Sequence, residues 1–181
     1  MKNKLKLLIL DIDGVLTDGK KYYDKSGMPC LKTFCDKDWT TIKRFKAIGV
    51  DVVFLTGDPF NEKIGNNRNI HTIVNRKDGY HKDKLYYLSE LCEKYNCNKD
   101  EVAYFGDDLF DIGIMKSLKL SFCPKDSPLL VKKHARIVDA KGGKNAVLKL
   151  YEMCEELGFI PKYSYTDIMG KIYELDVKES F

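Results

Sequence analysis

LLILDIDGVLTDG, residues 7–19, decides how the rest of the chain is read. Four apolar residues run into Asp11, with Asp13 and Asp18 close behind and Gly14 and Gly19 beside them. The uninterrupted run LKLLIL (5–10) suits a strand buried on both faces of a parallel sheet. A strand ending in acids delivers them to one point. Three explanations compete: a calcium loop, a helix-capping turn, or a nucleophile with its acid/base partner. A calcium loop starting at Asp11 would need oxygen at its fifth position and glycine at its sixth, where Val15 and Leu16 stand; its twelfth would be Tyr22. Capping accounts for Asp18 but not for two acids separated by one residue.

Outward from this stretch, apolar runs and turn signals alternate as strand and helix. KKYYDKSGMPCLKTF (20–34) reads as a hairpin about Ser26-Gly27. Trp39, Ile42, Phe45 and Ile48 recur at helical spacing until Gly49. VDVVFL (50–55) is a second core strand, 60–66 a short helix and HTIV (71–74) a weaker strand. A helical pattern runs from Lys82 to Tyr95, and EVAYF (101–105) is a strand followed by a helix through Ile112 and Met115. LSFC (120–123) and RIVD (136–139) are the last strands, with Ser127-Pro128 opening a short helix between them; 144–157 is a final amphipathic helix. This order predicts an α/β, three-layer Rossmann-like fold with a mostly parallel sheet, in one domain over 1–158. The tail 159–181 has no evident place in the core and is a candidate contact for a neighbouring subunit.

In such folds ligands bind beyond the carboxyl ends of the strands. Asp11 ends the first strand, Thr56 and Gly57 end the second, and Asp107 and Asp108 follow VAYF through Gly106. Lys84 opens a helix whose end can face the same edge. Phosphoryl chemistry calls for these residue types. A carboxylate can attack phosphorus and divide one hard displacement into two through an aspartyl-phosphate. A second acid can protonate the leaving oxygen and later take a proton from water. A hard cation such as Mg2+ and a lysine offset the charge of the two anions that must meet.

D-x-D-G-V-L-T-D-G, L-T-G, K-D-K-L and G-D-D-x-x-D, in this order over about residues 5–147, resemble the four motifs of the haloacid dehalogenase superfamily of phosphatases. The resemblance implies Asp11 as nucleophile, Asp13 as general acid/base, and Thr56 and Lys84 as phosphoryl-binding groups. It implies Mg2+ held by Asp11, the backbone carbonyl of Asp13 and Asp107, supported by Asp108 and Asp111. The intervals Gly19–Thr56 and Gly57–Lys84 leave no room for a cap domain. With YYDxxG and GGKNAV added, the chain is similar to the capless 3-deoxy-D-manno-octulosonate 8-phosphate phosphatases and the related nonulosonate, sialic-type sugar-acid phosphatases. That family implies a homotetramer in which the hairpin meets a neighbour. Where its octulosonate members read T-G-R, this chain has Thr56-Gly57-Asp58, so Asp58 is expected to accept from substrate hydroxyls or an amino group. NNRNI leaves Arg68 as the carboxylate partner, GGKNAV replaces G-G-x-G, and Phe110 stands where Asn is common.

The net charge is +4 with lysines scattered, which disfavours nucleic-acid binding, and no apolar segment approaches membrane-spanning length. The basic start MKNKLK leads into an apolar run that Asp11 ends too soon for a signal peptide, so a cytoplasmic protein is expected. The six cysteines lack zinc-ribbon spacing and are read as reduced thiols. Lys32 is expected at the surface, Asp38 as a helix N-cap or a ligand contact, and His81 as solvated, with a place bordering the site as the alternative. The function expected is a Mg2+-dependent sugar-acid phosphatase. The alternatives are a phosphatase for another small metabolite, and a non-catalytic oligomerisation module like those fused to sugar-nucleotide synthetases.

Overall fold

A computed structural model describes residues 4–77 and 79–178; the first three residues of the basic start and the last three of the tail lie outside the described residues. Six strands form the central sheet: β1 (Leu7–Leu10), β4 (Asp51–Thr56), β5 (His71–Val74), β8 (Val102–Phe105), β9 (Leu120–Pro124) and β10 (Arg136–Val138). Their order is β10-β9-β8-β1-β4-β5, and every neighbouring pair is parallel. Two small antiparallel hairpins stand apart from it, β2 (Tyr22–Tyr23) with β3 (Pro29–Leu31), and β6 (Arg76–Lys77) with β7 (Tyr80–His81). The first is the expected hairpin; the second was not expected.

Because successive side chains of a strand point to opposite faces, the apolar runs divide between two cores. Leu8, Leu10, Val52, Phe54, Ala103 and Phe105 face α1 (Asp36–Ala47) and α6 (Ala146–Glu156). Leu7, Ile9, Val53, Leu55, Val102 and Tyr104 face α3 (Leu88–Lys94), α4 (Ile112–Ser117) and α5 (Leu129–Lys132). Helix α2 (Phe60–Asn66) follows β4, and among the described residues no cap domain interrupts the series. No helix among the described residues is long and apolar enough to cross a membrane.

Four local expectations need correction. Residues 82–95 are not one helix: Asp83 accepts from Leu85 N at 2.9 Å and starts a 3-10 turn over Lys84–Tyr87, from which α3 continues. Asp38 does not cap its own helix. It is buried, and its Oδ1 accepts from the N–H groups of Val147 and Leu148 at 3.0 Å each, placing a carboxylate at the positive end of α6. Ser127 gives α5 no side-chain cap; Pro128 occupies that position. The described part of the tail, 159–178, packs on the domain. The carbonyl of Phe159 accepts from Lys4 N and Leu5 N, and α7 (Tyr165–Lys178) lays Ile168 and Ile172 into the core beside α1. Ser164 and Asp167 bond reciprocally at its start, a Ser-x-x-Asp capping signal visible in the sequence.

Ile172→Ala tests the docking of α7. At 8 % exposure the substitution should cost about 2 kcal/mol, the low end for a buried isoleucine, and lower the midpoint of urea unfolding. An unchanged midpoint would mean that this helix lies free of the core.

Candidate active site

Strand β1 sits between β4 and β8, and the chain changes direction across the sheet there: β4 and β5 extend one way, β8, β9 and β10 the other. The crevice at such a switch point is where the carboxyl ends of the strands open. Asp11 N still donates to Phe105 O at 2.9 Å, so Asp11 leaves the sheet directly beside β8. The backbone then turns, with Leu16 N and Thr17 N donating to Ile12 O. Gly14 in this turn has φ +81°, and a Cβ there would lie 1.9 Å from Asp107 Oδ2. Only glycine lets the turn and the Asp107 carboxylate approach so closely.

Beneath the crevice Lys84 is 2 % exposed. Its Nζ donates to Asp11 Oδ2 (2.5 Å), Asp111 Oδ1 (2.7 Å) and Tyr104 Oη (3.1 Å), which satisfies all three ammonium donors. The Tyr104 hydroxyl donates to Asp111 Oδ1 at 2.6 Å, and the N–H groups of Asp107 and Asp108 donate to Asp111 Oδ2. Both Asp111 oxygens are therefore engaged within the protein. Burial opposes its charge, but Lys84, Tyr104 and these N–H groups outweigh burial and hold its pKa low. For Lys84 burial is likewise outweighed, by Asp11 and Asp111, and the ammonium is kept above its ordinary value.

Asp11 and Asp107 are less well supplied. Burial, against the pull of Lys84 and with the repulsion of Asp111, brings Asp11 up to about 7. Burial followed by the charges of Asp11 and Asp111 brings Asp107 up to about 8, and its buried Oδ1 has no hydrogen-bond partner. One oxygen each from Asp11, Asp107 and Asp111 lie within 4.8 Å of one another. Three acids facing one lysine, with an orphaned oxygen among them, fit a hard divalent cation. Asp111 accepts four hydrogen bonds, Asp11 two, from Ile12 N and Lys84, and Asp107 Oδ1 none, so Asp11 and Asp107 are the better donors to it.

A second network covers the opposite wall. Lys32, expected at the surface, has a side chain without solvent exposure. Its Nζ lies 2.8 Å from the Asp13 carboxylate, 2.8 Å from Asp58 Oδ2 and 2.8 Å from Asn61 Oδ1. Asn61 Nδ2 donates to Asp13 Oδ2 (3.1 Å) and Thr56 Oγ1 (2.8 Å), which leaves the threonine O–H free to donate. Asp58 also takes Lys21 Nζ at 2.7 Å and Phe60 N at 3.0 Å. Burial would raise its pKa, but Lys21 and Lys32 outweigh that and hold it at about 2. Asp58 is thus an ion-pair partner of two lysines rather than the open acceptor expected for a substrate group.

Between these networks lies a cavity of about 370 Å³ lined by Asp11, Asp13, Thr56, Gly57, Asp58, Lys84, Asp107 and Asp108, eight of the ten residues singled out in the sequence. Asp111 lies beneath it. Arg68 is not at the cavity; its guanidinium covers the Trp39 ring at 4.4 Å. Arg76, on the unexpected hairpin, lines the cavity in its stead with no described carboxylate paired to it. His81 also lines it, stacked on Phe110 at 4.5 Å, and burial followed by the charges of Arg76 and Lys84 lowers its pKa. Lys32 was expected at the surface, and Lys21, Asn61, Tyr104 and Arg76 drew no expectation from the sequence. Only Tyr104 carried a signal: a tyrosine in an otherwise apolar buried strand needs a partner for its hydroxyl.

Residues 79–150 match the model of the haloacid dehalogenase-like hydrolases. The chain is 34% identical over 150 residues to 3-deoxy-D-manno-octulosonate 8-phosphate phosphatase of Yersinia pestis, covering 82% of this chain and 79% of that protein. The cobalt-bound phosphatase of Haemophilus influenzae with that substrate specificity superposes with a TM-score of 0.75 at 27% identity, covering 84% of this chain and 88% of that one. The Moraxella catarrhalis phosphatase, solved with magnesium, phosphate and the sugar acid, superposes with a TM-score of 0.75 at 25% identity, covering 87% and 90%. Sequence, fold and the strand-end acids agree: the chain belongs to the 3-deoxy-D-manno-octulosonate 8-phosphate phosphatase family of haloacid dehalogenase-like hydrolases, a family of phosphoric monoester hydrolases.

Proposed function

We propose that this protein is a Mg2+-dependent phosphatase that hydrolyses a sugar-acid phosphate monoester, of the octulosonate 8-phosphate or nonulosonate 9-phosphate type, through an aspartyl-phosphate on Asp11. The observation that carries the proposal is the buried Lys84 between Asp11 and Asp111, next to the partnerless Oδ1 of Asp107. Mg2+ held by Asp11, the Asp13 carbonyl and Asp107 would offset the charge of the phosphoryl oxygens.

The Asp11 carboxylate forms a bond to phosphorus as the bond from phosphorus to the leaving oxygen breaks, and Asp13 gives that oxygen its proton. Water then attacks phosphorus, its proton passes to Asp13, and the bond to Asp11 breaks to free phosphate. The free O–H of Thr56 donates to the phosphoryl oxygens, and the buried Lys84 ammonium offsets their charge through its field. Asp108 and Asp111 hold the 107–111 loop. A non-catalytic module has no use for a lysine buried at this cost among acids.

For the sugar-acid carboxylate we propose Arg76 in place of Arg68, since a planar guanidinium facing the cavity suits a bidentate carboxylate. The exposed Tyr22, Tyr23, Met28 and Leu31 of the first hairpin support self-association, with a homotetramer proposed from the family; a cytoplasmic location is proposed with it.

Phosphate release from octulosonate and nonulosonate phosphates should be lost with EDTA and restored by Mg2+, and Asp11→Asn should lower it about 10³-fold or more. Turnover that survives either change would defeat the proposal. Arg76→Gln should lower kcat/KM for the sugar-acid phosphate about 10- to 100-fold while sparing 4-nitrophenyl phosphate. Equal loss on both would remove the carboxylate role.

A further inference from the structure

Lys32 reaches the site from the first hairpin, one residue beyond β3. A buried ammonium must have its donors met by fixed acceptors, and here three acceptors stand at 2.8 Å each. Two of the three do not account for its position. Asp58 already has Lys21 at 2.7 Å, and the Asn61 side chain is a neutral acceptor on α2. The third, Asp13, lines the cavity as Asp58 does, but has Lys21 only at 3.8 Å, so Lys32 is its close cation.

Lys32 and Asn61 grip Asp13 together, and Asn61 also holds Thr56 Oγ1 at 2.8 Å. A carboxylate held by a buried ammonium and a buried amide cannot swing as an exposed one does. Lys32 has no described contact with Asp11 or with the groups around Lys84; besides Asp58 it holds Asp13 and, through Asn61, Thr56. Asp13 and Thr56 are the two groups that the proposed mechanism assigns to proton transfer and to the phosphoryl oxygens.

We infer that Lys32 is a positioning residue: it fixes the Asp13 carboxyl where it meets the leaving oxygen, and makes the hairpin part of the catalytic apparatus. The inference rests on the phosphatase reading above. Asp13 gives its proton to the leaving oxygen as that oxygen parts from phosphorus and Asp11 bonds to it, so misplacing Asp13 penalises only leaving groups that need a proton. An alkoxide needs one, and 4-nitrophenolate departs without it.

The test is single-turnover cleavage with Mg2+ by the full chain and by Lys32→Met. The substrates are an alkyl ester, 3-deoxy-D-manno-octulosonate 8-phosphate, and 4-nitrophenyl phosphate, with release of the leaving alcohol as the readout. The expected result is a loss of about 10²-fold on the alkyl ester, with the 4-nitrophenolate burst within about threefold of the parent. Equal losses on both substrates, or no loss on either, would overturn the inference. If Lys32→Met does not fold, Lys32→Arg takes its place. A guanidinium keeps the charge but cannot meet the same three acceptors from one point, so a smaller split of the same sense is expected, and its absence overturns the inference. A parent protein that cleaves neither substrate refutes the phosphatase reading itself, and the inference with it.

Discussion

A lysine taken out of water must find acceptors that stay in place, and for Lys84 these come from separate parts of the chain. Asp11 follows β1, Tyr104 lies within β8, and Asp111 ends the turn after it. Desolvating such a charge costs several kcal/mol, and removing one partner from a buried pair typically costs about 3–5 kcal/mol. The contact therefore fixes the distance between the ends of β1 and β8 and the position of the segment that leads into α3. Asp111 extends it by holding the N–H groups of Asp107 and Asp108, so one ammonium organises both strand-end acids.

The cavity lies between two charge networks of different balance. Around Asp58 and Asp13, Lys21 and Lys32 match two acids with two cations, and Asp58 is held at about 2. Around Lys84 three acids share one cation, and Asp11 and Asp107 are driven up to about 7 and 8. One side is complete as built and the other is short of positive charge. A site that must bring a phosphoryl dianion to a carboxylate needs such a shortage, since a cation bound there can serve ligand and nucleophile together.

The sheet and the floor of the site were legible because both depend on local pattern. Continuous apolar runs mark strands buried on both faces, and Asp11, Thr56 and Asp107 stand where each of three runs ends. What was not legible depends on where side chains go once loops close. Nothing in PCLKTF distinguishes an inward Lys32 from a solvated one, because its acceptors lie 19 to 29 residues away. Arg68 lies past the end of α2, before Asn69 turns into a left-handed conformation at φ +49°, and the guanidinium goes to Trp39. Arg76 belongs to a hairpin of two-residue strands, too short for any periodicity to announce. Helix α7 escaped notice because, among the described residues, only Ile168 and Ile172 turn inward fully, while Tyr165, Tyr173 and Val177 remain exposed.

The central claim is that the acids around Lys84 bind one divalent cation, with the unpartnered Asp107 Oδ1 among its donors. Calorimetric titration of the substrate-free protein with Mg2+, set beside Asp107→Asn, measures this directly. The account predicts one Mg2+ bound by the parent protein and a loss of that binding in the variant. Equal binding by both, or none by the parent protein, would contradict it.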